Sequence, residues 1–146
     1  MTGTPSSTDD APERLPEPGD VIEFSFLWSH EQAQGLVEGV KDRRCVVIRV
    51  LPGPRIVVLP ITGTEPDHHA KIPLAPGTFG LTRPSWIVTS ELNVSDWPGY
   101  DLRPAKSPKG AFWRYGRLSD ALRAKVAAAV AGHVKAGRAH MTSRRG

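Results

Sequence analysis

At 146 residues the chain has the length of one domain, with 39% hydrophobic and 23% charged residues, a balance that excludes a fully disordered or fibrous protein. No apolar run approaches the roughly 20 residues that cross a bilayer, and a single cysteine excludes an internal disulfide. The formal charge of +4 hides an asymmetry: residues 1–20 hold five acids against one base, leaving 18 bases against 10 acids in residues 21–146.

Residues 1–17, rich in Pro, Ser, Thr and acids, have little to bury and predict a disordered acidic leader. The leader has neither a basic n-region nor an apolar h-region, so it does not read as a secretory signal, and the cytoplasm is the expected compartment. Order is expected from Pro18, in one domain over residues 18–137. Ile22, Phe24 and Phe26 then alternate as the inner face of a half-buried strand. A connection carrying His30-Glu31-Gln32 and the basic group Lys41-Asp42-Arg43-Arg44 leads into a second strand, Cys45 to Leu51. Pro52-Gly53-Pro54 is turn chemistry, and Arg55 to Thr62 returns as the other arm of a hairpin. Residues 63–70 read as loop, and Lys71-Ile72-Pro73-Leu74 as a brief edge strand, because proline has no N–H for a central ladder. Ser85 to Leu92 is a further strand, followed by a segment punctuated by Pro98, Gly99, Pro104, Pro108 and Gly110.

The last element is helical. Ser119 suits an N-cap, Asp120 suits the positive end of the dipole, and Leu122, Val126, Val130 and either His133 or Val134 follow at helical spacing. Gly137 is a natural stop. Residues 138–146 contain Arg138, Arg144 and Arg145 with no acid, and predict a flexible basic tail. Short strands joined by Gly/Pro turns and then one helix predict a mainly β protein, a small antiparallel barrel with a C-terminal helix on its side. A basic body favours a polyanionic partner, nucleic acid first.

The order Pro18-Gly19-Asp20-Val21 with its strand, His30-Glu31-Gln32, Arg43-Arg44 with its strand, Pro60-Ile61-Thr62, and Ser85-Trp86-Ile87-Val88 resembles the MazF/PemK family. These are the toxins of bacterial toxin–antitoxin pairs, and the resemblance covers most of the chain. It implies an SH3-like barrel, a homodimer, a cognate antitoxin protein, and cleavage of single-stranded RNA without metal or cofactor. The chain departs from the family at three places. The loop from Gln32 to Arg44 is longer than the family's link. Cys45 stands where the family has proline. Asn93 occupies the place of an arginine in the family's Gln-x-Arg-Thr-x-Asp segment, whereas Asp96 matches its acid.

RNA carries its own nucleophile: the 2′-OH attacks the adjacent phosphorus, giving a 2′,3′-cyclic phosphate and a free 5′-OH. A positioned base and acid each contribute ~10² to 10⁴-fold, and a preorganised cation on the phosphoryl oxygens a few kcal/mol more. Arg44, at the mouth of a strand, suits the phosphate clamp because a guanidinium offers a planar pair of donors. Thr62, at the end of another strand, can donate a hydroxyl to the same phosphate. His30 is the expected proton carrier, since imidazole titrates near ~6.5, with Glu31 as the alternative base. Lys41, Arg43, Asn93 and Asp96 complete the expected substrate contacts, and Trp97, in a Pro/Gly loop, is the first choice for a base-stacking platform, ahead of Trp28, Tyr100, Trp113 and Tyr115.

Each residue also has a plainer reading. Arg43 and Arg44 read also as solubilising edge charges, Thr62 as a hairpin cap, His30 and Glu31 as an exposed pair, and Trp97 as a hydrophobic plug at a dimer interface. Cys45 is expected to face inward as a small hydrophobe, and Trp86 to sit in the core. His68-His69 does not form a metal site, because adjacent side chains diverge and no partners stand at ligand spacing. The leading expectation is a sequence-selective endoribonuclease that inhibits growth. Its rival is a non-catalytic SH3-like module that binds RNA or protein and lost the chemistry with Asn93. A gyrase-poisoning toxin of related build is disfavoured, since the chain ends in Met-Thr-Ser-Arg-Arg-Gly instead of an apolar tip.

Overall fold

The computed structural model describes residues 15–36, 42–99, 102–103 and 114–143. Lys41, Tyr100, Trp113, Arg144, Arg145 and most of the acidic leader therefore lie outside the described residues. In chain order the elements are β1 (Asp20–Phe24), α1 (Ser29–Ala33), β2 (Arg43–Leu51), β3 (Arg55–Thr62), β4 (Lys71–Leu74), a 3₁₀ turn (Thr78–Gly80), β5 (Ser85–Val88), β6 (Glu91–Asp96), β7 (Leu102–Arg103), β8 (Arg114–Arg117), α2 (Asp120–Lys135) and β9 (His140–Ser143).

The β2–β3 hairpin is the spine, registered from Cys45 opposite Pro60 to Leu51 opposite Arg55, with a shift between Val47 and Arg49. β1 pairs antiparallel with β2. The other edge of β1 is shared by β8, along Asp20 to Ile22, and β7, at Glu23 and Phe24. β3 divides its outer edge in the same way: Arg55 to Val58 pair with β6, and Ile61 and Thr62 pair with β5.

The apolar runs of β1 to β3 feed both faces of the sheet. Val21, Val46, Val57, Leu59 and Ile61 join one core with Leu118, Val126 and Val130 under α2. Their neighbours Ile22, Phe24, Cys45, Val47, Ile56 and Val58 form a second core with Phe26 and Trp97. Successive strand residues point to opposite faces, so a continuous apolar run is what a strand covered on both sides requires. β1 is therefore buried along its whole length, not half-buried as its alternation predicts. Each fully buried aliphatic or aromatic side chain contributes ~1.5–3 kcal/mol.

The SH3-like antiparallel barrel expected from the sequence does not form. The fold is a mixed α/β domain whose curved sheet stays open, a half-barrel with edges 12 Å apart. Hydrogen-bonded strands lie ~4.8 Å apart, so no ladder can bridge that opening. Nor is the sheet wholly antiparallel: β9 lies parallel to β6, with Glu91 opposite His140 and Val94 opposite Ser143. β9 also replaces part of the tail expected to be flexible, because buried Thr142 and the His140 N–H to Ser90 carbonyl bond tie it down. The strand expected over Ser85 to Leu92 breaks at Thr89-Ser90 into β5 and β6.

α2 starts and stops as its residues predict. Ser119 Oγ accepts from the Leu122 N–H at 3.2 Å, and Gly137 ends the helix at φ +73°. His133, not Val134, takes the inward position: His133 is 7% exposed and Val134 55%. Among the described residues no helix is long and apolar enough to cross a membrane.

Gly19-Asp20, read from the sequence as the start of order, is a structural staple. Asp20 is buried, and its carboxylate accepts from Arg117 Nε at 2.7 Å and from the Glu17 N–H at 2.8 Å. Gly19 adopts φ +101°, a conformation that disfavours a side chain, while its N–H bonds the Val47 carbonyl.

Candidate functional site

Arg44 enters β2 opposite Glu23 of β1 and reaches toward the 3₁₀ turn. Its Nε donates to the Phe79 carbonyl at 2.7 Å, with Nη2 3.5 Å from the Gly80 carbonyl. The guanidinium lies 4.1 Å from the Tyr115 ring centre, and the Tyr115 hydroxyl donates to the buried Glu23 carboxylate at 2.7 Å. Ring, carbonyl and strand together hold the side chain in place. Among the described residues Arg44 Nη1 carries no protein hydrogen bond, which leaves donor capacity for an incoming anion.

Phe79 makes this seat at a conformational cost. Among the described residues it is the non-glycine residue with positive φ, at φ 51° and ψ 32°, and that turn is what directs its carbonyl at Arg44. Two glycines admit the crowding. A Cβ at Gly116 would meet Phe79 Cδ1 at 3.1 Å, and one at Gly80 would meet Arg44 Nη2 at 3.0 Å.

Arg44 lines a cavity of about 330 Å³ with Asp42, Arg43, Ile61, Gly63, Gly80, Leu81, Thr82, Arg83 and Ser85. That volume sits at the small end of ligand sites, ~300–1,000 Å³. Three arginines against one aspartate make the lining cationic, and a cavity with partly apolar walls strengthens attraction for an anion over that of an open surface.

Arg43, although it also borders the cavity, is held by different partners. Its guanidinium lies 5.1 Å from the Trp28 ring centre, and Nη1 donates to the Ile61 carbonyl at 3.3 Å. Burial pushes its pKa below the usual guanidinium value, against the opposing pull of Cys45, Glu31 and Glu23. Arginine stays charged even so. Its buried Nε has no hydrogen-bond partner among the described residues.

The His-Glu-Gln segment, expected as loop, forms α1. Glu31 is buried and turned back, its Oε1 accepting from the Trp28 N–H at 3.0 Å, which secures the helix start. His30 is exposed, its ring centre 6.1 Å from that of Trp28. Glu31 thus belongs with Arg43 and Trp28 and is absent from the lining of the Arg44 cavity.

The other expected residues disperse. Thr62 caps its own turn: Oγ1 accepts from the Thr64 N–H at 3.2 Å, while its neighbours Ile61 and Gly63, not Thr62, line the cavity. Asn93 is fully buried and clamps the segment after β1. Its Oδ1 accepts from the Leu27 N–H at 2.9 Å, and Nδ2 donates to the Leu27 carbonyl at 2.8 Å and the Leu92 carbonyl at 3.2 Å. Asp96 is exposed and pairs with Arg55 at 3.8 Å. Trp97 is 4% exposed and packs in the second core of this same chain, so its ring offers no open face to a base and no surface for a dimer-interface plug. Cys45 faces inward as expected, whereas Trp86 is only half-buried.

Sequence reasoning missed Arg83 and the seat formed by Phe79, Gly80 and Tyr115. The available signal was modest: a lone cation within Gly80-Leu81-Thr82-Arg83-Pro84, between turn residues and a strand. No group of three or more His, Cys, Asp or Glu that could hold a metal occurs among the described residues. No protein-family model matches this chain, and no curated protein is similar enough in sequence to match it.

Proposed function

We propose that the protein binds single-stranded RNA at the Arg44 cavity and cleaves it by attack of the 2′-OH on the adjacent phosphorus. The observation that carries this reading is the seat of Arg44, a guanidinium held by the Phe79 carbonyl and the Tyr115 ring at the wall of a cationic cavity. A clamp held before substrate arrives loses little on stabilising charge at the phosphoryl oxygens. The order of motifs that resembles the MazF/PemK toxins supports the same reading, and with it growth inhibition in the cytoplasm, a homodimer and a neutralising antitoxin. Asp42, the carboxylate in the cavity lining, and the exposed His30 are the candidates for proton transfer.

A second reading, an RNA-binding module without catalysis, is favoured by three placements. Glu31 is turned into α1, Thr62 lies outside the cavity lining, and Asn93 is consumed by Leu27.

Incubation with long unstructured RNA in EDTA separates the two. The wild type should produce discrete fragments ending in cyclic phosphate, and Arg44→Ala should lower the rate at least ~100-fold. Intact RNA at concentrations where binding is saturated would select the binding module.

A further inference from the structure

The 3₁₀ turn and the end of β3 each anchor an arginine at one cavity. Arg44 is held by the Phe79 and Gly80 carbonyls. Arg83 is held elsewhere. Its backbone is tied by the buried Ser85, whose Oγ donates to the Arg83 carbonyl at 3.1 Å. Its guanidinium lies against Gly63: a Cβ there would fall 2.5 Å from Nε, 2.7 Å from Nη2 and 2.9 Å from Cζ. Arg83 therefore occupies the place that a side chain at residue 63 would take. Gly63 is itself fixed by the turn in which Thr62 Oγ1 accepts from the Thr64 N–H.

Two guanidiniums at the wall of one cavity repel each other until anionic charge enters. Among the described residues Arg83 forms no salt bridge, and Asp42 is the only acid in the lining. An arginine laid over a loop without a carboxylate partner is suited to a substrate anion, because its fork matches phosphate oxygens. The separate anchors give each arginine its own position.

We propose that Arg83, seated on Gly63, is a positioning residue that holds the phosphate next to the one held by Arg44. The site then takes an RNA segment with two successive phosphates, and the strand is placed by its backbone before any base is read. This inference rests on the RNA reading above.

The test uses 2′-O-methyl RNA dinucleotides, which lack the nucleophile and stay intact, with and without an added terminal phosphate at either end. Binding is measured by fluorescence anisotropy across a salt series. In the wild type one terminal phosphate should tighten binding and steepen the salt dependence by ~0.7 in log–log slope, the value for one single-strand phosphate contact. Arg83→Ala should erase both gains, and Arg83→Lys should keep part of them. Gly63→Ala, which displaces the side chain without removing it, should weaken binding in the wild type and change nothing in an Arg83→Ala background. If Arg44→Ala weakens binding while Arg83→Ala leaves the terminal-phosphate gain intact, the inference fails and the RNA reading stands. If neither substitution alters binding, both fall.

Discussion

Asn93 is where residue chemistry and motif reading diverge most. The motif reading expects an arginine at its position; by contacts it is a backbone clamp, satisfying both the N–H and the carbonyl of Leu27 from β6. A side-chain amide does this with one acceptor and two donors, whereas a guanidinium has no acceptor to offer the Leu27 N–H. Asn93→Arg should therefore fail to raise any RNA cleavage and should cost ~3 kcal/mol or more, from unpaired Leu27 groups and a buried charge. Urea unfolding of the variant checks this, and a rise in nuclease rate with unchanged stability would show the clamp to be dispensable. Glu31 and Trp97 teach the same lesson. Residue types suited to catalysis and stacking are suited equally to closing a helix start and filling a core.

At the element scale, α2 docks through one buried polar contact that helical periodicity left undecided between His133 and Val134. His133 Nε2 lies 3.0 Å from Thr89 Oγ1, while Nδ1 has no hydrogen-bond partner among the described residues, and the His69 ring centre is 6.0 Å away. Desolvation first, then Arg138, His69 and His68, hold its pKa below the ordinary imidazole value. The folded protein thus binds this proton less readily than the unfolded chain. Stability from this group is complete above ~6.5 and is lost as pH falls below that value toward the folded pKa. His133→Leu should flatten the acid side of the stability profile measured by denaturant unfolding. An unchanged slope between pH 7 and 5 would assign the acid sensitivity to other groups.

For the whole molecule, two cores share the strands β1 to β3, one core on each face of the sheet. Neither can lose its strands without exposing the other, so the described domain should unfold as one unit. Tryptophan fluorescence, to which Trp97 in the second core contributes, and far-UV circular dichroism should share a single urea midpoint. Separate midpoints would show that the α2 side unfolds independently.

Much of the local structure was legible from residues alone. The turn at Pro52-Gly53-Pro54, the hairpin it closes, the cap at Ser119 and the stop at Gly137 follow from backbone preferences that act within a few residues. The basic character of the body likewise follows from composition. Whether the sheet closes was not legible, because closure depends on how strands far apart in sequence divide the edges of β1 and β3, and on β9 joining β6 in parallel. The site was divided in the same way. The sequence by itself determined a cationic strand entry at Arg43-Arg44, since two adjacent arginines are charged in any fold. Only the tertiary structure decided that Arg44 faces a cavity shared with Arg83, while Arg43 lies over Trp28 and Asn93 holds a backbone segment, because a side chain's role depends on what the rest of the chain places within its reach.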